Sequence, residues 1–267
     1  MKERLDLILV ERRFVESRTK AQWLIKNGFV LVNGKKVLKP GKKVDNFNKI
    51  LLLEEFPYVG RGGLKLEAAL KHFSIEVKNK ICVDIGASIG GFTDCLLKQG
   101  ARRIYAIDTA TDLLHPSLRC DKNKDKIIPL LGVDARKLDK LNEKIDLVTI
   151  DVTFATIRNI LPNVKKYLKE NGDIIVLIKP IFETDFYHET ELQIITDSKK
   201  LYKILIDLLD WCLINNIFLY NILKSPILGK GGSIEYLVHL MMKGSNKINY
   251  NTQKELIKSV FANKNTY

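Results

Sequence analysis

Apolar positions along this chain follow two rhythms, and the change between them divides it. Near the amino terminus Leu5, Ile8, Leu9 and Arg12 fall on helical spacing, which predicts a helix through about Arg13. Ser17 is placed to cap a second helix over 18–27, with Ala21, Leu24 and Ile25 inward and Gly28 as its stop. In "FVLVNGKKVL" Asn33-Gly34 separates two β-type runs, a strong hairpin signal. Residues 45–49 are polar enough for a turn, and Pro57 with Gly60, Gly62 and Gly63 marks a connection. From residue 80 the pattern changes to short apolar runs at 81–85, 103–107, 126–131, 145–150, 173–178 and 235–241. Helical patterns at 91–99 and 156–169 interleave with them, a further helix is expected over 63–73, and a long one over 197–215. Such alternation predicts a mainly parallel, doubly wound α/β sheet with ligands at strand carboxyl ends. The expected organisation is a small α+β module over 1–53, a linker over 54–62, the α/β domain over 63–245 and a basic tail over 246–267. The tail is rich in Lys and Asn and is expected to be loosely ordered.

Charge sharpens this picture. The formal net charge of +13 over 267 residues points to a polyanion such as nucleic acid or an acidic membrane surface. A generally Lys-rich proteome is the bland alternative. In the first module Arg18, Lys20, Lys26, Lys35 and Lys36 are available to such a partner. The four cysteines, Cys82, Cys95, Cys120 and Cys212, show no paired spacing for zinc and no disulfide framework, so no metal is expected. They read as reduced residues of a soluble, cytoplasmic protein. The longest apolar stretch, 201–223, is broken by Lys203, Asp207 and Asp210, so no membrane span is expected.

The stretch "VDIGASIGGF" lies between an apolar run and a helical segment, where glycines let backbone approach a nucleotide. A dinucleotide loop would place Gly at position 88, which is Ser. Acidic residues end successive strands: Asp84, Asp108, Asp134 and Asp151. Asp108 follows Asp84 near the ~20-residue offset at which a carboxylate meets ribose hydroxyls. Asp134 stands where a third strand would contact a base. Single aspartates at strand ends are often helix caps. The series suits a ligand with ribose hydroxyls, an exocyclic amine and a sulfonium charge, as in S-adenosylmethionine and unlike NAD.

Three further residues stand out. "RGGLKL", "LIKPIFE" and "GGSIEYL" place Lys65, Lys179 and Glu235 in separate elements. Each alone reads as an ordinary charged surface residue. Lys179, however, follows the apolar run "DIIVLI" and precedes Pro180, at the top of a buried strand. A ribose 2′-hydroxyl must lose its proton to attack a methyl group, and a lysine beside a second cation in a desolvated site can accept it.

Residues 3–44 resemble the alpha-L RNA-binding module, through Ser17-Arg18, the Ile25–Gly28 helix end and the Val32-Asn33-Gly34-Lys35 turn. The resemblance implies an RNA-facing surface to which Arg4, Ser17, Arg18, Lys20, Lys26, Asn33, Lys35 and Lys36 belong. The remainder resembles FtsJ-like ribose 2′-O-methyltransferases, and the combination resembles the TlyA family, also called haemolysin A. That family's Lys-Asp-Lys-Glu tetrad falls on Lys65, Asp151, Lys179 and Glu235. Its cofactor loop, in a Rossmann-like methyltransferase sheet, falls on Asp84, Gly86, Ala87, Ser88, Gly90, Gly91 and Phe92, with Asp108, Asp134 and Asp151 completing the cofactor site. The resemblance implies S-adenosylmethionine-dependent methylation of ribosomal RNA or ribosomal subunits, usually at cytidine.

The chain departs from the family after Glu183, where "TDFYHETELQIITD" replaces a glycine-rich loop, and at Ile181, where Gln is usual. These departures motivate one alternative, an RNA-binding protein whose methyltransferase fold no longer catalyses. A membrane-active haemolysin is the other, disfavoured by the missing amphipathic or spanning segment.

Overall fold

The computed structural model describes residues 2–184, 194–244 and 248–262, which form two compact units, Met1–Arg61 and Gly62–Tyr267. The first unit contains β1 (Lys2–Arg4), α1 (Leu5–Glu11), α2 (Arg18–Lys26), β2 (Val30–Val32), β3 (Lys35–Lys36), β4 (Lys43–Asp45) and β5 (Ile50–Leu52). β1 pairs antiparallel with β4, and β2 lies between β3 and β5. Leu5, Ile8, Leu9, Ala21, Leu24 and Ile25 anchor its core. The expected local signals are present. Ser17 Oγ accepts from Lys20 N–H at 3.3 Å, and Asn33 and Gly34, at φ 49° and 76°, make a primed hairpin turn.

The second unit contains α3 (Gly62–Phe73), β6 (Ile81–Ile85), α4 (Gly91–Lys98), β7 (Arg103–Asp108), β8 (Ile127–Leu131), β9 (Ile145–Ile150), α5 (Leu161–Tyr167), β10 (Leu168–Ile178), α6 (Ser198–Ile214), β11 (Phe218–Lys224), β12 (Tyr236–Met241) and α7 (Tyr250–Ala262). The sheet order is β11-β12-β10-β9-β6-β7-β8. The five strands from β10 to β8 are parallel, whereas β12 runs antiparallel to both neighbours. Residues alternate between faces along each strand. Ile81, Val83 and Ile85 therefore join α5, α6 and α7 in one core, while Asp84 turns to the other face and meets Thr93 of α4. Sequence order reverses between β6 and β9. That is where a doubly wound sheet opens a crevice at its carboxyl edge.

Three elements differ from the sequence pattern. β11 has no separate signal, because its residues continue the apolar run of α6. The helix expected over 156–169 is shorter, since a single 3-10 turn, Ile157–Asn159, precedes α5 and β10 begins at Leu168. The tail is not loosely ordered over 250–262. There α7 buries Ile257 and Gln253, whose Oε1 accepts from Leu219 N–H of β11 at 2.7 Å. The altered segment after Glu183 lies mostly outside the described residues.

Candidate active site and RNA-facing residues

A cleft of about 460 Å³ opens at the carboxyl ends of β6, β7 and β9, lined among others by Gly86, Ser88, Asp108, Asp134, Asp151 and Phe154. Its volume is that of a small-molecule site. Gly86 has φ 81°, and a Cβ there would stand 2.4 Å from the Asp151 carbonyl oxygen, so only glycine lets the two loops approach. Asp108 is fixed by backbone: Oδ2 accepts from Ser88 N–H at 2.7 Å and Oδ1 from Ala110 N–H at 2.8 Å. Asp134 is engaged by Arg136, whose Nε and Nη2 donate to Oδ1 at 2.9 Å and Oδ2 at 2.7 Å. Those hydrogen bonds hold the Asp134 carboxyl below its usual range, against a weaker opposing effect of burial.

The rest of the glycine loop serves the scaffold and is not part of the cleft lining. Asp84 is fully buried, accepting from Thr93 Oγ1 at 2.6 Å and Thr149 Oγ1 at 3.0 Å. Burial pushes its carboxyl up to about 7, against those hydrogen bonds. Its expected place beside a cationic ligand is therefore corrected, because the strand's alternation turns it into the packed face. Ala87 is buried, and Gly90, at φ 95°, lies where a Cβ would overlap Leu118. Gly91 and Phe92 pack against Gly62.

Strand register assembles three of the four remaining charges, and helix α3 supplies the fourth. Ile178 of β10 pairs with Tyr236 of β12, so Lys179 and Glu235, one residue further along, continue that register at the sheet's carboxyl edge. Val176 pairs with Ile150, which brings Asp151 to the same edge. Lys179 Nζ lies 2.7 Å from Asp151 Oδ1 and donates to Val152 O at 2.9 Å and Thr153 Oγ1 at 3.0 Å. The Asp151 contact is an ion pair poorly aligned for a hydrogen bond, and that buried oxygen has no aligned donor. Lys65 of α3 donates to Glu235 Oε2, and both side chains are buried. Two ion pairs thus stand side by side at the edge of the sheet.

Two features here carry no signal in the sequence. Phe154 holds φ 63°, a strained conformation for a bulky residue that costs ~1–3 kcal/mol, and is 66% exposed on the cleft lining. It meets Phe182 at 5.5 Å between ring centroids. Arg136 borders both the cleft and a neighbouring cavity of about 280 Å³ that contains Phe182 and Arg158. Nothing in spacing or composition marks these residues. Among the described residues no cluster of His, Cys, Asp and Glu could hold a metal ion, and no helix is long and apolar enough to cross a membrane.

In the first unit, Asp6 is fully buried and accepts from Arg4 Nε at 2.9 Å, Arg18 Nε at 2.8 Å and Gln22 Nε2 at 2.8 Å. Burial opposes its ionisation, but these donors outweigh it and hold the carboxyl well below the usual range. Arg4 and Arg18 are thereby fixed with about half of each side chain exposed. Lys26, Lys35 and Lys36 are exposed. Lys20 is engaged by Glu16 at 2.6 Å and lies 5.4 Å from the Phe56 ring centroid, while Asn33 Oδ1 accepts from Lys49 N–H. Lys20, Ser17 and Asn33 thus already serve local structure.

A family model described as FtsJ-like methyltransferase matches residues 58–242, and one for the S4 domain matches residues 3–49. Hemolysin A of Brachyspira hyodysenteriae is 38% identical over 242 residues, covering 90% of this chain and 100% of that protein. The 23S rRNA (cytidine-2′-O)-methyltransferase TlyA of Campylobacter jejuni is 37% identical over 251 residues, covering 86% and 96%. Among solved structures, a protein named as a hemolysin from Streptococcus thermophilus superposes with a TM-score of 0.70 at 32% identity, covering 98% of this chain and 96% of that one.

Proposed function

Because this chain belongs to the FtsJ-like methyltransferase family and carries an S4 domain ahead of the catalytic unit, we propose that it methylates the ribose 2′-hydroxyl of a cytidine in ribosomal RNA, using S-adenosylmethionine. The observation that carries the reading is Lys179 Nζ 2.7 Å from Asp151 Oδ1, where Asp151 also lines the cleft.

The residues present suit the cofactor. Asp108, held by two backbone donors, keeps acceptor capacity for a ribose diol, whereas Arg136 engages both oxygens of Asp134, which would serve the base end only by sharing an oxygen that Arg136 holds. Leu113, Val133 and Ile160 supply apolar wall. When bound, S-adenosylmethionine supplies a methyl group already activated by its sulfonium. The protein has to place a ribose hydroxyl in line and remove its proton. Lys179, in its unprotonated form, takes that proton at Nζ. Asp151, Val152 O and Thr153 Oγ1 fix the direction of that nitrogen, and the Lys65–Glu235 pair holds the adjoining edge. Arg4, Arg18, Lys26, Lys35 and Lys36 of the S4 unit supply positive charge for RNA phosphates. The test is incubation of the full chain with unmethylated ribosomal subunits and isotopically labelled S-adenosylmethionine. Label in a 2′-O-methylated nucleoside supports the reading, and label confined to bases or no transfer opposes it.

A further inference from the structure

The turn after Lys179 ends in a second buried charge. Glu183 closes the 3-10 turn Pro180–Glu183, and its side chain is 2% exposed. Its Oε2 accepts from Thr156 Oγ1 at 2.6 Å, and its Oε1 accepts from Ile157 N–H at 3.0 Å. Arg158 Nη1 donates to the Glu183 carbonyl oxygen at 3.1 Å and lies 3.5 Å from Oε2. Burial raises the Glu183 carboxyl, while Thr156, Ile157 and Arg158 oppose that rise.

All three partners belong to residues 151–159, the loop that begins with Asp151. At the other end of the turn, Lys179 holds that loop through Asp151, Val152 and Thr153. One short turn therefore grips one loop at two points, five residues of chain carrying a cation at one end and a carboxylate at the other. Between the grips sits Phe154 at φ 63°, and such a conformation persists only where its surroundings over-determine it. The turn's own Phe182 packs on Phe154 and adds a third grip.

We propose that Glu183 is a positioning residue for methyl transfer, which holds Thr156 and Ile157 so that Asp151, Val152 and Thr153 aim Lys179 at the ribose hydroxyl. The proposal rests on the ribose methyltransferase reading above. Glu183 acts through the loop and not on the reacting atoms. A buried cap that only stabilises the fold would look similar at rest, so turnover and local exchange have to distinguish the two.

The experiment compares full-length wild type, Glu183→Ala and Glu183→Gln. In Glu183→Ala, kcat is expected to fall at least tenfold, with KM for ribosomal substrate and Kd for S-adenosylmethionine within about threefold. The Ile157 amide, read by hydrogen exchange without substrate, should exchange faster. Glu183→Gln should restore kcat to within about threefold, since its amide can accept from Ile157 N–H and donate to Thr156 Oγ1. A folded Glu183→Ala enzyme with kcat within twofold of wild type would overturn the proposal. So would a loss expressed only in KM, or a Gln variant as impaired as Ala. If Glu183→Ala does not fold, Thr156→Val removes one grip, and an unchanged kcat there is equally fatal. Wild-type inactivity toward ribose would instead sink the underlying function, while Ile157 exchange would still decide the clamp.

Discussion

Lys65 and Glu235, 170 residues apart in the chain, form a buried ion pair between α3 and the residue that leads into β12. Removing one partner strands the other charge in a dry site, which typically costs about 3–5 kcal/mol. Lys65→Ala should therefore lower the unfolding midpoint in denaturant as well as activity. Replacing the pair together, Lys65→Met with Glu235→Leu, should recover most of the stability and none of the methyl transfer. Recovery of both would show that the pair is only structural.

Asp84 makes stability depend on pH in a stated direction. Burial pushes its carboxyl up to about 7 in the folded chain, against an ordinary value of 3.8. Between those values the folded state holds the proton that the unfolded state has released, so this contribution is full below pH 4 and is lost as pH rises through 7. At about 1.4 kcal/mol per unit, the effect reaches a few kcal/mol. Asp84→Asn should flatten the fall in stability between pH 4 and pH 7, measured by urea unfolding at each pH. An unchanged slope would show that Asp84 is not the titrating group.

Two carboxylates of the cleft, Asp108 and Asp134, should differ. Asp108→Ala removes the acceptor that Ser88 and Ala110 hold in place, and should weaken S-adenosylmethionine binding at least tenfold, about 1.4 kcal/mol, by calorimetry. Asp134→Ala should cost less, because Arg136 already occupies both of its oxygens. The reverse order would place the ribose and base ends of the ligand differently.

Much of this architecture is legible in the chain, and the omissions have physical reasons. Short apolar runs locate every strand of the large sheet except β11, whose residues continue the apolar pattern of α6. Asn215 and Asn216 are the signal that separates them, since Asn216 takes φ 54° and ends that helix. Helix α7 is hidden by Lys- and Asn-rich composition, although Ile257, Val260 and Phe261 recur at helical spacing. In the site, Lys65, Asp151, Lys179 and Glu235 each look ordinary alone, and family resemblance singles them out as a set. Strand register shows why Asp151, Lys179 and Glu235 meet, and the packing of α3 against β12 brings Lys65 to them. Asp84 is misplaced by its motif, because position in the motif does not reveal which face of the strand it occupies. The Glu183 contacts join residues separated by a whole strand and helix, and no local pattern encodes them.

The S4 unit predicts a salt signature. Lys35→Ala with Lys36→Ala should weaken binding to ribosomal RNA and reduce the salt slope of log K by about one unit for each phosphate no longer neutralised. S-adenosylmethionine affinity should not change. An unchanged slope would remove the hairpin from the RNA interface.

The most direct test of the central claim is nucleoside analysis of ribosomal RNA after reaction with wild type, Lys179→Ala and Lys179→Arg under saturating S-adenosylmethionine. The account predicts 2′-O-methylcytidine from wild type and a loss of at least ~10²-fold in Lys179→Ala, the scale of a general base. Lys179→Arg should not rescue it, because a guanidinium stays protonated at any working pH. Near-normal 2′-O-methylcytidine from Lys179→Arg would contradict the assignment of Lys179 as the base.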